Sequence, residues 1–284
     1  MSLLQPGVPV ELETEAVRVR RILGLNPGPM TGPGTNTYLI GTDKLTLIDP
    51  GPIDAEQFKN FLAAIGDSHL VNILVTHTHG DHSPGALALA RQTGATLIGL
   101  NAPQAPGQDH SFVSDIACAD GDIIECQDTA GRYSLQMIHT PGHVSNHLCF
   151  LLREEGLLFT GDHVLQGTTP VILPPDGDMS DYLSSLERLL SLPLISLAPA
   201  HGEVMRAPFT EIEKLIAHRL KREAKILERL RLLAPCTDDE LVVSAYDDVG
   251  EHLLPWAKRT MSAHLIKLAK EGKARFDDSH WRVL

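Results

Sequence analysis

Short apolar runs, each closed by Gly, Pro or Asp, recur along the first two-thirds of the chain and read as strands. Val17 to Leu25, Thr37 to Ile40 and Leu45 to Ile48 come first, and Gly41-Thr42-Asp43 turns the last two into a hairpin. Val71 to Val75 is apolar enough to be a buried strand. Further strands are expected at Thr96 to Ile98, Asp122 to Cys126, Ser134 to His139, His147 to Leu152, Leu157 to Phe159 and Ile195 to Ala198. Helical spacing appears between them, over Asp54 to Ile65 with Asp54 as N-cap, over Gly85 to Thr93, and over Asp181 to Leu190. Strands outnumber helices, so the pattern predicts an α+β chain. Its two sheets would carry helices on their outer faces, an αββα sandwich whose strand-end loops gather at one edge.

After residue 208 the period becomes helical. Ile212, Leu215, Ile216, Leu220, Ile226, Leu227 and Leu230 form one apolar stripe over Phe209 to Leu233, and Pro235 stops it. Thr237 and Glu240 have capping-box spacing, Leu254 to Glu271 is a second helix ended by Gly272, and Lys273 to Phe276 with His280 to Leu284 reads as a hairpin across Asp277-Asp278-Ser279. Helix, helix and wing make a winged-helix-like module. The chain is thus expected to divide into a catalytic domain, 1–208, and a C-terminal domain, 209–284. With no aromatic-plus-basic stripe in it, a structural role for the second domain is preferred to nucleic-acid binding.

Composition adds a compartment and a charge balance. No apolar run reaches membrane-spanning length, and Met1 to Glu15 lacks the regions of a signal peptide, so a cytoplasmic protein is expected. Cys118, Cys126, Cys149 and Cys236 are scattered and read as free thiols. Residues 1–208 hold 10 Lys/Arg against 23 Asp/Glu and the rest 14 against 13, net charges of −13 and +1. An acidic first part disfavours a polyanion.

The chemistry lies in the loops. His77-Thr78-His79-Gly80-Asp81-His82 places three imidazoles and a carboxylate directly after a buried strand, donors that suit a borderline cation such as Zn²⁺. A solvated loop with incidental histidines is the competing reading, and four ligand types in six residues argue against it. Three more strand ends carry a turn and a donor: His139-Thr140-Pro141-Gly142-His143, Thr160-Gly161-Asp162-His163 and Pro199-Ala200-His201-Gly202. Each alone is an ordinary turn sequence. His147 and His163 are read as packing or bracing histidines in preference to substrate contacts.

This series resembles the metallo-β-lactamase superfamily, whose motifs run His-x-His-x-Asp-His, His, Asp, His. The resemblance spans residues 34 to 202 and includes Gly34-Thr35-Asn36-Thr37-Tyr38-Leu39-Ile40 and Leu47-Ile48-Asp49-Pro50-Gly51. It implies that His77, His79 and His143 hold one metal and that Asp81, His82 and His201 hold a second. Asp162 would bridge the two, and Asp49 would brace the ligand loop. Thr140-Pro141-Gly142-His143, Gly161-Asp162-His163-Val164-Leu165 and the C-terminal module are most similar to the β-lactamase-like protein 2 group.

Two divalent ions, Zn²⁺ in preference, would lower the pKa of a shared water toward about 7 and present hydroxide to a carbonyl or phosphoryl group, with Asp81 orienting it. A small acyl ester or thioester is the preferred substrate. Single-stranded RNA cleavage is the alternative, on a basic stretch formed by Lys214, Arg219, Lys221, Arg222, Lys225, Arg229 and Arg231. The resemblance also extends to mononuclear iron persulfide dioxygenases, whose pattern lacks a winged-helix tail.

Overall fold

The structure is a computed structural model that describes residues 4–284, so the first three residues of the N-terminal stretch read above lie outside it. Packing divides the chain into two units. The first is built from the chain up to Thr140 together with Asn146–Thr169 and Leu192–Pro208, and the second from Pro141–Ser145, Pro170–Ser191 and Phe209–Leu284.

In the first unit, β1 (Pro9–Glu11), β2 (Val19–Leu23), β3 (Asn36–Ile40), β4 (Lys44–Ile48), β5 (His69–Leu74) and β6 (Thr96–Ile98) form a sheet in sequence order. Its first four strands pair antiparallel, while β4, β5 and β6 run parallel. The parallel crossovers carry α1 (Ala55–Ile65) and α2 (Gly85–Thr93). The second sheet has the order β11 (Ser196–Pro199), β10 (Leu157–Gly161), β9 (Leu148–Leu152), β8 (Gly131–His139) and β7 (Ile123–Asp128), with only β10 and β11 parallel.

Period-two alternation divides the core. Tyr38, Ile40, Ile48 and Leu74 point from the first sheet toward Leu135, Met137, Phe150 and Phe159 of the second. Their neighbours Leu39, Leu47 and Ile73 point the other way, onto Phe61 and Ile65 of α1 and Leu89 of α2. The α+β reading with two facing sheets therefore holds. Asp54 caps α1 as expected, its side chain accepting from Gln57 N at 2.7 Å.

The second unit holds α3 (Met179–Leu189), all but the first residue of the long α4 (Pro208–Leu233), α5 (Asp238–Ala245), α6 (Leu254–Lys270) and the hairpin β12 (Ala274–Asp277) with β13 (His280–Val283). Thr237 and Glu240 form the expected capping box. Ile226 and Leu230 of α4 join Leu241, Met261, Leu265 and Trp281 in a core of the unit's own.

Differences from the expected elements are local. α3 starts at Met179 rather than Asp181, because Asp178 accepts from the backbone of both Ser180 and Asp181 and opens the helix earlier. β5 begins at His69 rather than Val71. Strand β1 and a short 3-10 turn at Glu251–Leu253 carry no apolar period and were not expected. All four cysteines are free thiols. Among the described residues no helix is long and apolar enough to cross a membrane.

Candidate metal centre

Parallel pairing decides which loops meet. Because β4 and β5 run parallel, the residues that leave their C-terminal ends, Asp49 and the loop from Thr76 to His82, emerge side by side. Parallel β10 and β11 bring Asp162 and His201 to a common end in the same way. Backbone bonds tie the two sheets together here: Leu148 N donates to Thr76 O at 2.7 Å, and Asn36 N to Ala200 O at 2.7 Å.

Asp49 organises the ligand loop from beneath. It is 2% exposed, takes a left-handed φ of 53°, and accepts three hydrogen bonds. Thr76 N donates to its Oδ1 at 2.8 Å, Thr76 Oγ1 to its Oδ2 at 2.7 Å, and His82 Nδ1 to Oδ2 at 2.8 Å. Since the Thr76 hydroxyl proton goes to Asp49, its oxygen accepts from His77 Nδ1 at 3.1 Å. Both imidazoles are thus held with a proton on Nδ1, which leaves Nε2 as the candidate ligand atom. The bracing role expected for Asp49 is present in the geometry. Thr76 was not anticipated, and no signal in the sequence marks it.

His77 Nε2 lies 3.0 Å from His79 Nδ1. His82 Nε2 is buried and makes no hydrogen bond, yet it stands 3.5 Å from both Asp81 Oδ2 and Asp162 Oδ1. His201 Nε2 stands 3.2 Å and 3.3 Å from the same two oxygens. Donors held at about 2.0–2.2 Å around a tetrahedral ion are separated by about 3.3–3.6 Å, so these spacings fit a divalent ion, and the nitrogen and oxygen donors are ones zinc accepts. His77, His82 and Asp162 form one such set and Asp81, His82 and His201 another. His143 belongs to the second unit, where its Nδ1 donates to Val171 O at 2.6 Å and leaves Nε2 as the nitrogen with a lone pair.

Electrostatics describe the same cluster. Burial opposes both charges of each pair, but His82 and His201 hold the Asp81 carboxyl far below the usual carboxylate range. Against its own burial, His82 is held well above its ordinary value by Asp81, Asp162 and Asp49, and His201 is raised by Asp162 and Asp81. A bound cation would compete with protons for these nitrogens and oxygens.

Other groups set the positions of Asp162 and His201. Asp162 N donates to His147 Nε2 at 3.1 Å, so the Nδ1 of that buried ring carries the proton and donates to Thr140 Oγ1 at 2.8 Å. His147 is a brace, in line with the bracing role read for it from the sequence. The strand end before His201 is clamped by Asn36 Nδ2 and Tyr38 Oη, both donating to Pro199 O at 2.9 and 2.7 Å. Gly161, at φ 48°, leaves no room for a side chain, since a Cβ would sit 2.7 Å from His147 Nε2 and 2.8 Å from Thr76 Cβ. Gly161→Ala is expected to destabilise the fold by about 2 kcal/mol or more and to lower metal content, checked by thermal melting and elemental analysis.

Residues 30–201 match the family described as the Metallo-beta-lactamase superfamily, and residues 237–281 match the Beta-lactamase associated winged helix domain. The chain is 33% identical over 281 residues to the Beta-lactamase-like protein 2 homolog of Drosophila melanogaster, across 92% of this chain and 91% of that relative. It is also 33% identical over 286 residues to the atrochrysone carboxyl ACP thioesterase of Claviceps purpurea (strain 20.1), across 96% of this chain and 86% of the relative. The crystal structure of a metallo-beta-lactamase family protein from Thermus thermophilus shares the fold, with a TM-score of 0.75 at 22% identity over 95% of this chain and 99% of that one. With its histidine and aspartate motifs in family order and a winged helix domain behind them, the chain belongs to the metallo-beta-lactamase superfamily of hydrolases.

Proposed function

We propose that the protein is a dinuclear, zinc-dependent hydrolase of a small acyl ester or thioester. His77, His79 and His143 would hold one ion, Asp81, His82 and His201 the other, with Asp162 between them. The observation that carries the reading is the set of donor spacings about His82, Asp81, Asp162 and His201. Bound ions would supply Lewis acidity and an activated water at neutral pH. The chain's own groups do the rest. Asp49 and Thr76 keep Nε2 of His77 and His82 aimed at the site, His147 holds the backbone of Asp162, and the half-buried Asp81 carboxylate orients the attacking water and relays its proton. The free thiols support a reducing, cytoplasmic setting.

Two observations favour an acyl substrate over single-stranded RNA. Relatives of similar length and 33% identity are named as acyl carrier thioesterases. The basic stretch on α4 is also largely neutralised: Arg222 and Lys225 bind Asp248, Arg229 and Lys225 bind Asp247, and Arg219 is buried against Pro170 O. Assay of the metal-loaded enzyme against an acyl thioester series and a labelled single-stranded RNA tests the choice. Thioester turnover is expected; RNA cleavage that weakens with salt, without thioesterase activity, would reverse it.

Three further outcomes follow from this reading. Elemental analysis should return two metal equivalents per chain, and well under one would sink the assignment. Metal must displace protons from His82 and His201, both raised above the ordinary 6.5, so metal affinity should rise with pH through that range and fall in acid. Replacing Lys221, Arg222 and Lys225 by Ala should barely alter turnover of a small thioester. It should cost stability, however, by about 1–2 kcal/mol, because Arg222 also bonds Ala245 O and stacks 4.3 Å from the Tyr246 ring. Parallel measurement of kcat/KM and Tm separates the two effects.

A further inference from the structure

Many basic side chains of the C-terminal unit are paired with acids, and three that are not share one cleft. Arg222, Lys225, Arg229, Lys267, Lys270 and Lys273 all meet carboxylates. Arg231, Arg275 and Arg282 form no ion pair among the described residues, and all three line one cleft of about 400 Å³. Its other walls are Ala234, Pro235 and Val283, so no acid and no aromatic ring faces it.

The strand register makes this grouping costly. Arg275 and Arg282 are directly opposed in the β12–β13 pairing, which puts both guanidinium groups on one face of the hairpin. Like charges opposed in this way destabilise a hairpin. Arg282 Nε is in addition buried without a hydrogen bond. Nothing in the folding of the hairpin requires two arginines there, whereas an anion between them would convert repulsion into charge-assisted hydrogen bonds.

We propose that this cleft binds a compact phosphate-bearing ligand, its three guanidinium forks gripping one phosphate monoester or diester group. Three forks present more donors than a single carboxylate accepts, and their planar geometry matches phosphate. The volume is that of a small-ligand pocket. An extended nucleic-acid strand fits less well, because no ring is present for base stacking and the neighbouring bases on α4 are already paired. The proposal does not depend on the reaction assigned to the metal-ligand cluster.

Calorimetric titration of the full-length, metal-loaded protein with inorganic phosphate tests it, with Arg275→Gln/Arg282→Gln and Arg231→Gln alongside. Phosphate bound at the metal cluster is common to all three proteins and cancels in the comparison. The wild type should show a saturable site that weakens at least about tenfold in the double variant and severalfold in Arg231→Gln. In anion-free buffer the double variant should melt no lower than the wild type, and phosphate should raise Tm only where the arginines are present. If the double variant fails to fold, Arg231→Gln, at an exposed position near the end of α4, carries the test alone. Equal phosphate affinity in variant and wild type overturns the site. A non-cleavable single-stranded oligonucleotide whose affinity climbs with its length and depends on these arginines overturns the compact ligand, since it describes an extended track.

Discussion

Asp81→Asn is expected to lower hydrolysis at least about 10²-fold in a correctly metallated protein while leaving the fold intact. Its Oδ2 lies 3.2 Å from His201 Nε2 and 3.5 Å from His82 Nε2, and those two rings keep the carboxyl ionised against its burial. An amide has the same shape, so packing is preserved, but it carries no charge to share with a cation and cannot take a proton from water. The apolar layer under the loop, Ile73, Leu74 and Val75, is fully buried and makes no use of Asp81. The variant should therefore melt as the wild type does. Steady-state rates at matched metal content decide the matter, and a variant that keeps more than about a tenth of the wild-type rate argues against the proposed role.

Asp49→Asn is expected to weaken metal binding about 10- to 100-fold although it replaces none of the proposed ligands. The buried carboxylate accepts from three donors at once: Thr76 N, Thr76 Oγ1 and His82 Nδ1. The amide offers one acceptor oxygen and sets N–H donors against whichever of these remain, leaving at least one buried donor unmet at a cost of about 2 kcal/mol. The His82 ring then loses the partner that fixes its tautomer and aim, and His77 loses its own through Thr76. Metal titration followed by thermal melting of the metal-free form separates affinity from stability. Unchanged affinity would remove Asp49 from the account of the site.

Most of the donors were legible in order along the chain, because metal chemistry restricts them to few residue types and loops after strands advertise themselves with Gly and Pro. His77, His79, Asp81 and His82 share one such loop, and Asp162 and His201 end two others. The bracing of Asp49 was legible only through the family resemblance. Thr76, Asn36 and Tyr38 were not legible as parts of the site at all. Each is an ordinary strand residue by pattern, and its role depends on a partner far along the chain, as with Tyr38 Oη and Pro199 O, 161 residues apart. The basic stretch on α4 shows the converse case. Read linearly it is a cationic track, but Asp247 and Asp248 fold back onto it and neutralise much of it.

Local periodicity and capping chemistry sufficed for the α+β class, the helical tail with its Thr237–Glu240 box, and the identity of the candidate ligands, since each of these depends on residues within a few positions of one another. Sheet order, the parallel pairings that bring Asp49 beside His77 and Asp162 beside His201, and the opposition of Arg275 to Arg282 were decided only in three dimensions. Strand pairing is a contact between distant segments, and register, once set by the packed face, fixes which side chains meet.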